Sequence, residues 1–244
     1  MSAIFCLPLR FTVSNSTGWQ AIAPVTNLNI DEPGLVARSS GSTASFTVNL
    51  GSSQTIDTVA LVGANLPSTA SVTVTAGSYN SGPVPAYYGV KDAETTTKTI
   101  LQFPPVTTST VTVQITSSAP IQIERLVIGK RVETEGIDQG CSQSFEDQSV
   151  IETSNGHTTI ERFNVLTSWK AKMSWVGDSQ WRQEFFGLFK RAGQSRAVLF
   201  VPTADDPATF QHEAVFGRFT SVAKGDYNNH NNWVAEFTIT ALAD

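Results

Sequence analysis

The chain has 244 residues, of which 40% are apolar, 9% aromatic and only 15% charged, with 17 Gly and 11 Pro. That length suits one large domain or two small ones with a sizeable core, and the charged fraction falls well below the ~25% of an average globular chain. A formal charge of −5 and a pI near 5.2 argue against a basic nucleic-acid footprint. No apolar run reaches the roughly 18 residues that a membrane helix needs, and Cys6 and Cys141 make neither a disulfide framework nor a CxxC zinc pair. The opening MSAIFCLPLR lacks a basic segment ahead of an apolar one, so no signal peptide is readable. These features predict a β-rich soluble protein made in the cytoplasm, rich in Ser and Thr, which favour short strands and turns.

Composition changes near residue 130. Residues 1–130 carry six basic and six acidic side chains, and residues 131–244 carry ten and fifteen, so the whole net charge lies in the second part. Trp169, Trp175, Trp181 and Trp233 lie there too, with only Trp19 before them. This predicts two domains meeting near Lys130–Gly136: residues 15–130, residues 131–244, and a leading segment 1–14. There is no internal repeat at a fixed period.

In chain order, Thr43–Leu50, Thr55–Val62, Ser71–Ala76, Thr110–Thr116 and Ile121–Ile128 read as strands: short, β-branched, and bounded by Gly, Pro, Ser or Asn. In Ser71–Ala76, Val72 and Val74 face one way, and Ser71, Thr73 and Thr75 the other. Such alternation gives one wet and one buried face, as in an antiparallel sandwich. Ile56–Val62 is continuously apolar and reads as a central strand. With no helical period in this part, a β-sandwich or jelly roll is expected.

The second part mixes strands with one helix. Ser154-Asn155-Gly156-His157 interrupts Val150–Phe163, and Asn-Gly is the strongest two-residue hairpin signal because both positions tolerate φ > 0. That turn sets Ile151 opposite Ile160 and Glu152 opposite Thr159. Thr167–Trp175 is a further strand. Asp178 is then expected to cap a helix with Trp181, Phe185, Leu188 and Phe189 on one face, ended by Gly193. Arg196–Val201 forms a strand closed by Pro202, and Val215–Val222 with Trp233–Ala241 forms a last hairpin.

Motifs for chemistry are sparse. His157 sits at a turn tip, His212 lies in a polar loop beside Glu213, and no HExxH, GxSxG, Walker A or GxGxxG motif occurs. The pairs Asp31-Glu32, Glu146-Asp147 and Asp205-Asp206 read as turn formers rather than carboxylates facing across a cleft. The loop Lys224–Asn232, with Asp226, Asn228, His230 and Asn232, resembles a calcium loop but lacks its glycine and bidentate glutamate. It reads better as a long hairpin connection. No catalytic residue, metal or cofactor is expected, and the chain reads as a non-enzyme.

Two features suit binding. Tyr79, Tyr87 and Tyr88 lie in the loop Gly77–Val90, where loop tyrosines either stack on a sugar, anchor an interface, or cover an open end of the core. The hairpin arms carry Glu152, Thr153, Thr158, Thr159, Glu161 and Arg162 around Asn155, Gly156 and His157. A polar hairpin of this kind is either an arm for a neighbouring subunit or an ordinary exposed hairpin.

The run Ile56-Asp57-Thr58-Val59-Ala60-Leu61-Val62-Gly63-Ala64-Asn65-Leu66, followed by Ser71-Val72-Thr73-Val74, resembles a discoidin-like (galactose-binding-like) jelly roll. Ile121-Gln122-Ile123-Glu124-Arg125-Leu126-Val127-Ile128-Gly129 resembles its closing strand. Such modules are frequent in tail proteins of tailed phages. The second part, with its long hairpin, a helix, Gly217-Arg218-Phe219, a polar loop and Trp233–Ile239, is similar in outline to the tail-tube-like β-sandwich of phage distal-tail proteins. That family usually places the tube-like domain first. The order here is reversed unless Ile4–Val13 supplies a strand to the later domain, with the jelly roll as an insertion.

The resemblance implies a mainly β chain of two domains: a jelly-roll β-sandwich, and a tail-tube-like sandwich or barrel with one packed helix. It implies a structural protein of a siphophage or prophage tail tip (baseplate), forming a homo-oligomeric ring with a hexamer favoured, located in the virion and assembled in the host cytoplasm. Implied partners are the tail tube, hub and receptor-binding proteins, with a weak host glycan besides, DNA only as passing cargo and no membrane. The second function expected is that of a carbohydrate-binding adhesin using the tyrosine loop.

Overall fold

The computed structural model describes residues 2–90, 96–221, 223–228 and 231–242. The chain is mainly β. Its longest element is Thr43–Ala64, a strand of 22 residues paired antiparallel with Thr97–Thr116. The two short strands expected over 43–62 are halves of this one element. Register shifts between Asn49 and Gln54, and between Ile56 and Thr58, let the ladder continue past Gly51-Ser52-Ser53. Bulges of this kind bend a strand and raise its twist, so one strand serves both walls of the sandwich.

In the first half, Thr43–Leu50 lies between Thr12–Thr17 and the end of Thr97–Thr116, which in turn pairs with Ser71–Ala76. In the second half, Thr58–Val62 lies between Arg125–Gly129 and Thr99–Gln102. Both halves turn their apolar faces to one cluster that includes Phe46, Val48, Ile56, Leu61, Val74, Val113 and Ile128. The result is the expected jelly-roll β-sandwich. Burying each of these side chains contributes about 1.5–3 kcal/mol before the entropy of ordering is subtracted. The alternation expected for Ser71–Ala76 holds, with Val72, Val74 and Ala76 buried. Val25–Asn29 forms a short 3-10 turn that the strand pattern does not announce.

Ile56–Ala64 is buried on both faces, as the apolar run predicts. The reverse face is covered by a small sheet in which Ala3–Cys6 pairs with Arg131–Thr134 on one side and Val198–Val201 on the other. The Asp57 carboxylate accepts the Arg131 backbone N–H at 2.7 Å, and a Cβ at Gly129 would fall 2.7 Å from Cys6 Sγ. Farther along, Gln102 Nε2 donates to the Ala204 carbonyl, and Gln211 Oε1 accepts the Lys98 N–H.

The chain therefore divides into compact units of residues 1–136 with 198–214, and of 137–197 with 215–244. This division differs from a single seam near residue 130, because 198–214 returns to the first unit. Ile4–Val13 is likewise not one strand. Ala3–Cys6 pairs with later residues, whereas Thr12–Thr17 pairs with the jelly roll. Between them stands Pro8, which has no N–H to donate to a ladder.

The second unit is a sheet in the order Val215–Phe219, Asn232–Ala241, Val165–Gly177, Ser142–Asp147. Lys224–Asn228 also pairs with Asn232–Glu236. The expected long connection at 224–232 is therefore itself a strand, closed by a turn with Asn231 at φ +63. Val222 and His230 lie outside the described residues. Ala235, Phe237 and Ile239 are buried and carry the helix 178–192. Asp178 does not cap that helix. Gly177 stands at the cap position, and Asp178 is the first helical residue, its carboxylate accepting from Trp233 Nε1 at 2.9 Å and from Arg182 Nε. These bonds hold the Asp178 carboxyl below its ordinary pKa, the Arg182 bond contributing most. Trp181–Phe185 winds as a π-turn, yet Trp181, Phe185 and Leu188 still share the buried face. Gly193, at φ +50, ends the helix as expected, its N–H bonding to Phe189 O.

Candidate functional site

The tyrosine loop is held down rather than presented. Tyr79 stacks on Phe103, with ring centroids 4.3 Å apart and planes 12° from parallel. Tyr88 meets Phe210 edge-on at 6.0 Å, and Tyr87 is half-buried. Gly89, at φ +77, brings the backbone so close to Ala208 that a Cβ would meet its carbonyl oxygen at 2.5 Å. Burial pushes the Tyr79 hydroxyl pKa up, and it pushes Tyr88 up with a further contribution from Tyr79. One face of the Tyr79 ring is therefore covered by Phe103. Of the alternatives for this loop, covering one end of the core describes Tyr79 and Tyr88.

The hairpin is the opposite case. Val150–Ser154 and His157–Glu161 pair in the expected register, Ile151 with Ile160 and Glu152 with Thr159. Asn155 (φ +50) and Gly156 (φ +78) supply the turn. Every residue from Val150 to Val165 is exposed. Opposed residues share a face, so Ile151, Ile160, Thr153 and Thr158 line one side. Val150, Glu152, Ser154, His157, Thr159 and Glu161 line the other, with Arg162 following at the base. Ile151 is 66% exposed and Ile160 54%. At the base, Phe145 lies on the sheet's edge strand and is 69% exposed. No sequence motif marked Ser142–Asp147 as a strand, because its alternation is of polar residues.

An apolar groove of about 480 Å³ lies along the helix, lined chiefly by Trp181, Phe186, Phe189, Lys190 and Gln194. Phe186 is 53% exposed, and Lys190 Nζ stands 5.7 Å from its ring centroid, a cation–π distance. Trp181, which lines the groove, is fixed by stacking on Trp233. A second, more polar groove of about 650 Å³ is bordered by Cys141, Lys170, Lys172, Lys224 and Glu236, with Lys172 and Glu236 paired at 3.7 Å.

Residues weighed for catalysis are dispersed. His157 is exposed at the hairpin turn, and His212 lies in the short helix Phe210–Glu213. Asp206 caps the turn at Ala208, while Asp205 accepts two hydrogen bonds from Ser2. Asp31 pairs with Arg125, and Asp226 lies in a strand. Among the described residues, no three His, Cys, Asp or Glu side chains gather as a metal site.

No protein-family model matches the sequence, and no curated protein matches it. Solved structures resemble about half of it. Chitosan-binding module 1, derived from a chitosanase/glucanase of Paenibacillus sp. IK-5, is 18% identical with a TM-score of 0.35, covering 50% of this chain and 96% of that one. CBM32-3 from a family 31 glycoside hydrolase of Clostridium perfringens is 9% identical with a TM-score of 0.40, covering 50% and 91%. Reduced XRCC1, solved bound to the DNA pol beta catalytic domain, is 10% identical with a TM-score of 0.36, covering 50% and 98%.

Proposed function

We propose that the chain is a structural, non-enzymatic component of a phage tail tip. In this reading it is a distal-tail-like protein that assembles as a homo-oligomeric ring, with a hexamer favoured, between the tail tube and the hub or receptor-binding proteins. The observation that carries the proposal is the uninterrupted exposure of Val150–Val165, apolar side chains included. The ribbon presents Ile151, Ile160 and Phe163 to solvent, and contiguous exposed apolar surface marks interaction sites. The exposed edge strand Ser142–Asp147 at its base adds to it, since open strand edges are templates for pairing.

The test is location. An antibody raised against the chain is applied to tailed particles released by cells that encode it, and the particles are viewed by electron microscopy. Label confined to the tail tip is the expected result; particles free of the protein would overturn the reading. The alternative, a carbohydrate-binding adhesin, is tested with the intact protein on a glycan array, where specific binding would favour it and no binding would sink it.

A further inference from the structure

We propose that the exposed hairpin of one copy docks into the aromatic groove of the next, making a head-to-tail contact. The inference rests on the ring reading and adds the receiving surface to it.

The hairpin supplies a projection. Ile151 and Ile160 are directly opposed, so their side chains form a single apolar knob on one face of a two-stranded ribbon. An isolated two-stranded hairpin is marginal in water, and both isoleucines forgo the burial that a partner would supply. The groove supplies a recess. Its walls are the half-exposed Phe186 and the Phe189 ring, with Trp181 held in place behind them by Trp233. Thr153 and Thr158, next along the knob face, offer hydroxyls to Gln194 on the groove wall.

Charge selects a second copy as the occupant. Glu146, Asp147, Glu152 and Glu161 make the hairpin and the strand before it acidic, with Arg162 the one opposing charge between 146 and 162. The groove is bordered by Lys190, followed by Arg191. Glu152 and Glu161 stand on the reverse face of the ribbon, so their pull steers the approach while the isoleucines fill the recess. Both surfaces belong to the same compact unit and differ from each other. A contact between them is heterologous, and heterologous contacts close into rings when the rotation allows.

This geometry has a signature that a symmetric dimer lacks. One variant carries Ile151→Asp and Ile160→Asp, breaking the arm; another carries Phe186→Asp, breaking the groove. All three positions are exposed, so circular dichroism should show each variant folded. By light scattering at high concentration, the parent is expected as an oligomer and each variant alone as a monomer. Mixed one to one, the variants should form a species of two copies and go no further, because one intact arm and one intact groove remain. A parent that assembles while both variants assemble equally well overturns the docking and leaves the ring standing. A parent that stays monomeric overturns the docking as a self-sufficient contact, and the ring is then judged by tail-tip labelling alone. A mixture that stays monomeric while the parent assembles also overturns it.

Discussion

The indole of Trp181 lies flat on that of Trp233, with ring centroids 4.8 Å apart and planes 10° from parallel. The same indole presses against the backbone of Gly225, where a Cβ would collide with its six-membered ring. Trp181 is thus clamped between two strands' worth of hairpin and its own helix, whose Phe185 and Phe189 also touch it. Gly225→Ala is expected to destabilise the second unit by about 1–3 kcal/mol through overpacking, whereas Trp181→Ala should cost about 3–5 kcal/mol. Urea unfolding followed by tryptophan fluorescence measures both; an unchanged midpoint for Gly225→Ala would mean that the ring is free to move.

Arg125 is buried at the strand Arg125–Gly129. It pairs with Asp31 at 2.7 Å and donates to the Leu28 carbonyl, tying down the Val25–Asn29 turn. Burial lowers its pKa, and Asp31 opposes that shift. Removing only the carboxylate leaves a guanidinium in a dry site. Asp31→Ala is expected to cost about 1–3 kcal/mol, less than the ~3–5 of a wholly buried pair because Asp31 remains partly exposed. Replacing both partners, with Arg125→Met and Asp31→Leu, should recover part of that loss in the same denaturation assay.

Tyr79 and Tyr88 should report on core integrity rather than on ligand. Tyr79→Ala and Tyr88→Ala are expected to lower the melting temperature by several degrees, an effect of about 1–3 kcal/mol. Phenylalanine at either position should be close to neutral.

The same two tyrosines give a pH signature. Their folded-state pKa values lie above the ordinary 10.0, so above pH 10 the unfolded chain releases protons more readily than the folded one. Their contribution to stability is complete below pH 10 and is lost as pH rises through the folded-state values. Thermal melts from pH 9 to 11 should show this decline, and it should shrink in the Tyr79→Phe, Tyr88→Phe double variant.

The thiols divide by environment. Cys6 is buried, and burial, reinforced by Asp57, pushes its pKa strongly upward. Cys141 is half-exposed. A thiol reagent such as DTNB should therefore label one cysteine in the native protein and both in urea; two native equivalents would place Cys6 nearer to solvent.

Much of this fold is legible in the sequence where local chemistry dictates it. Alternation identifies Ser71–Ala76, Asn155-Gly156 sets the hairpin register, and Gly193 marks the end of the helix. What escapes is what neighbours decide. The continuity of Thr43–Ala64 through Gly51-Ser52-Ser53 depends on a bulged partner, not on local propensity. Asp178 has the residue type of a helix cap, but Trp233 and Arg182 claim its carboxylate. The return of 198–214 to the first unit follows from pairing with Ala3–Cys6, a separation in sequence that no local pattern encodes. In the binding surfaces, the hairpin was visible because its turn is local. The groove was not, since Phe186 and Phe189 look like core residues until the helix is docked.

The strand Ala3–Cys6 has a consequence for synthesis. Its two partners, Arg131–Thr134 and Val198–Val201, are both made well after it. At roughly 5–20 residues per second, the second partner emerges about 10–40 s later. Throughout that interval Ile4 and Phe5, wholly buried at the end, have no finished sheet to enter. The nascent chain thus carries an exposed apolar segment whose burial marks completion of the first unit, and chaperone occupancy of that segment should fall only after residue 201 has left the ribosome.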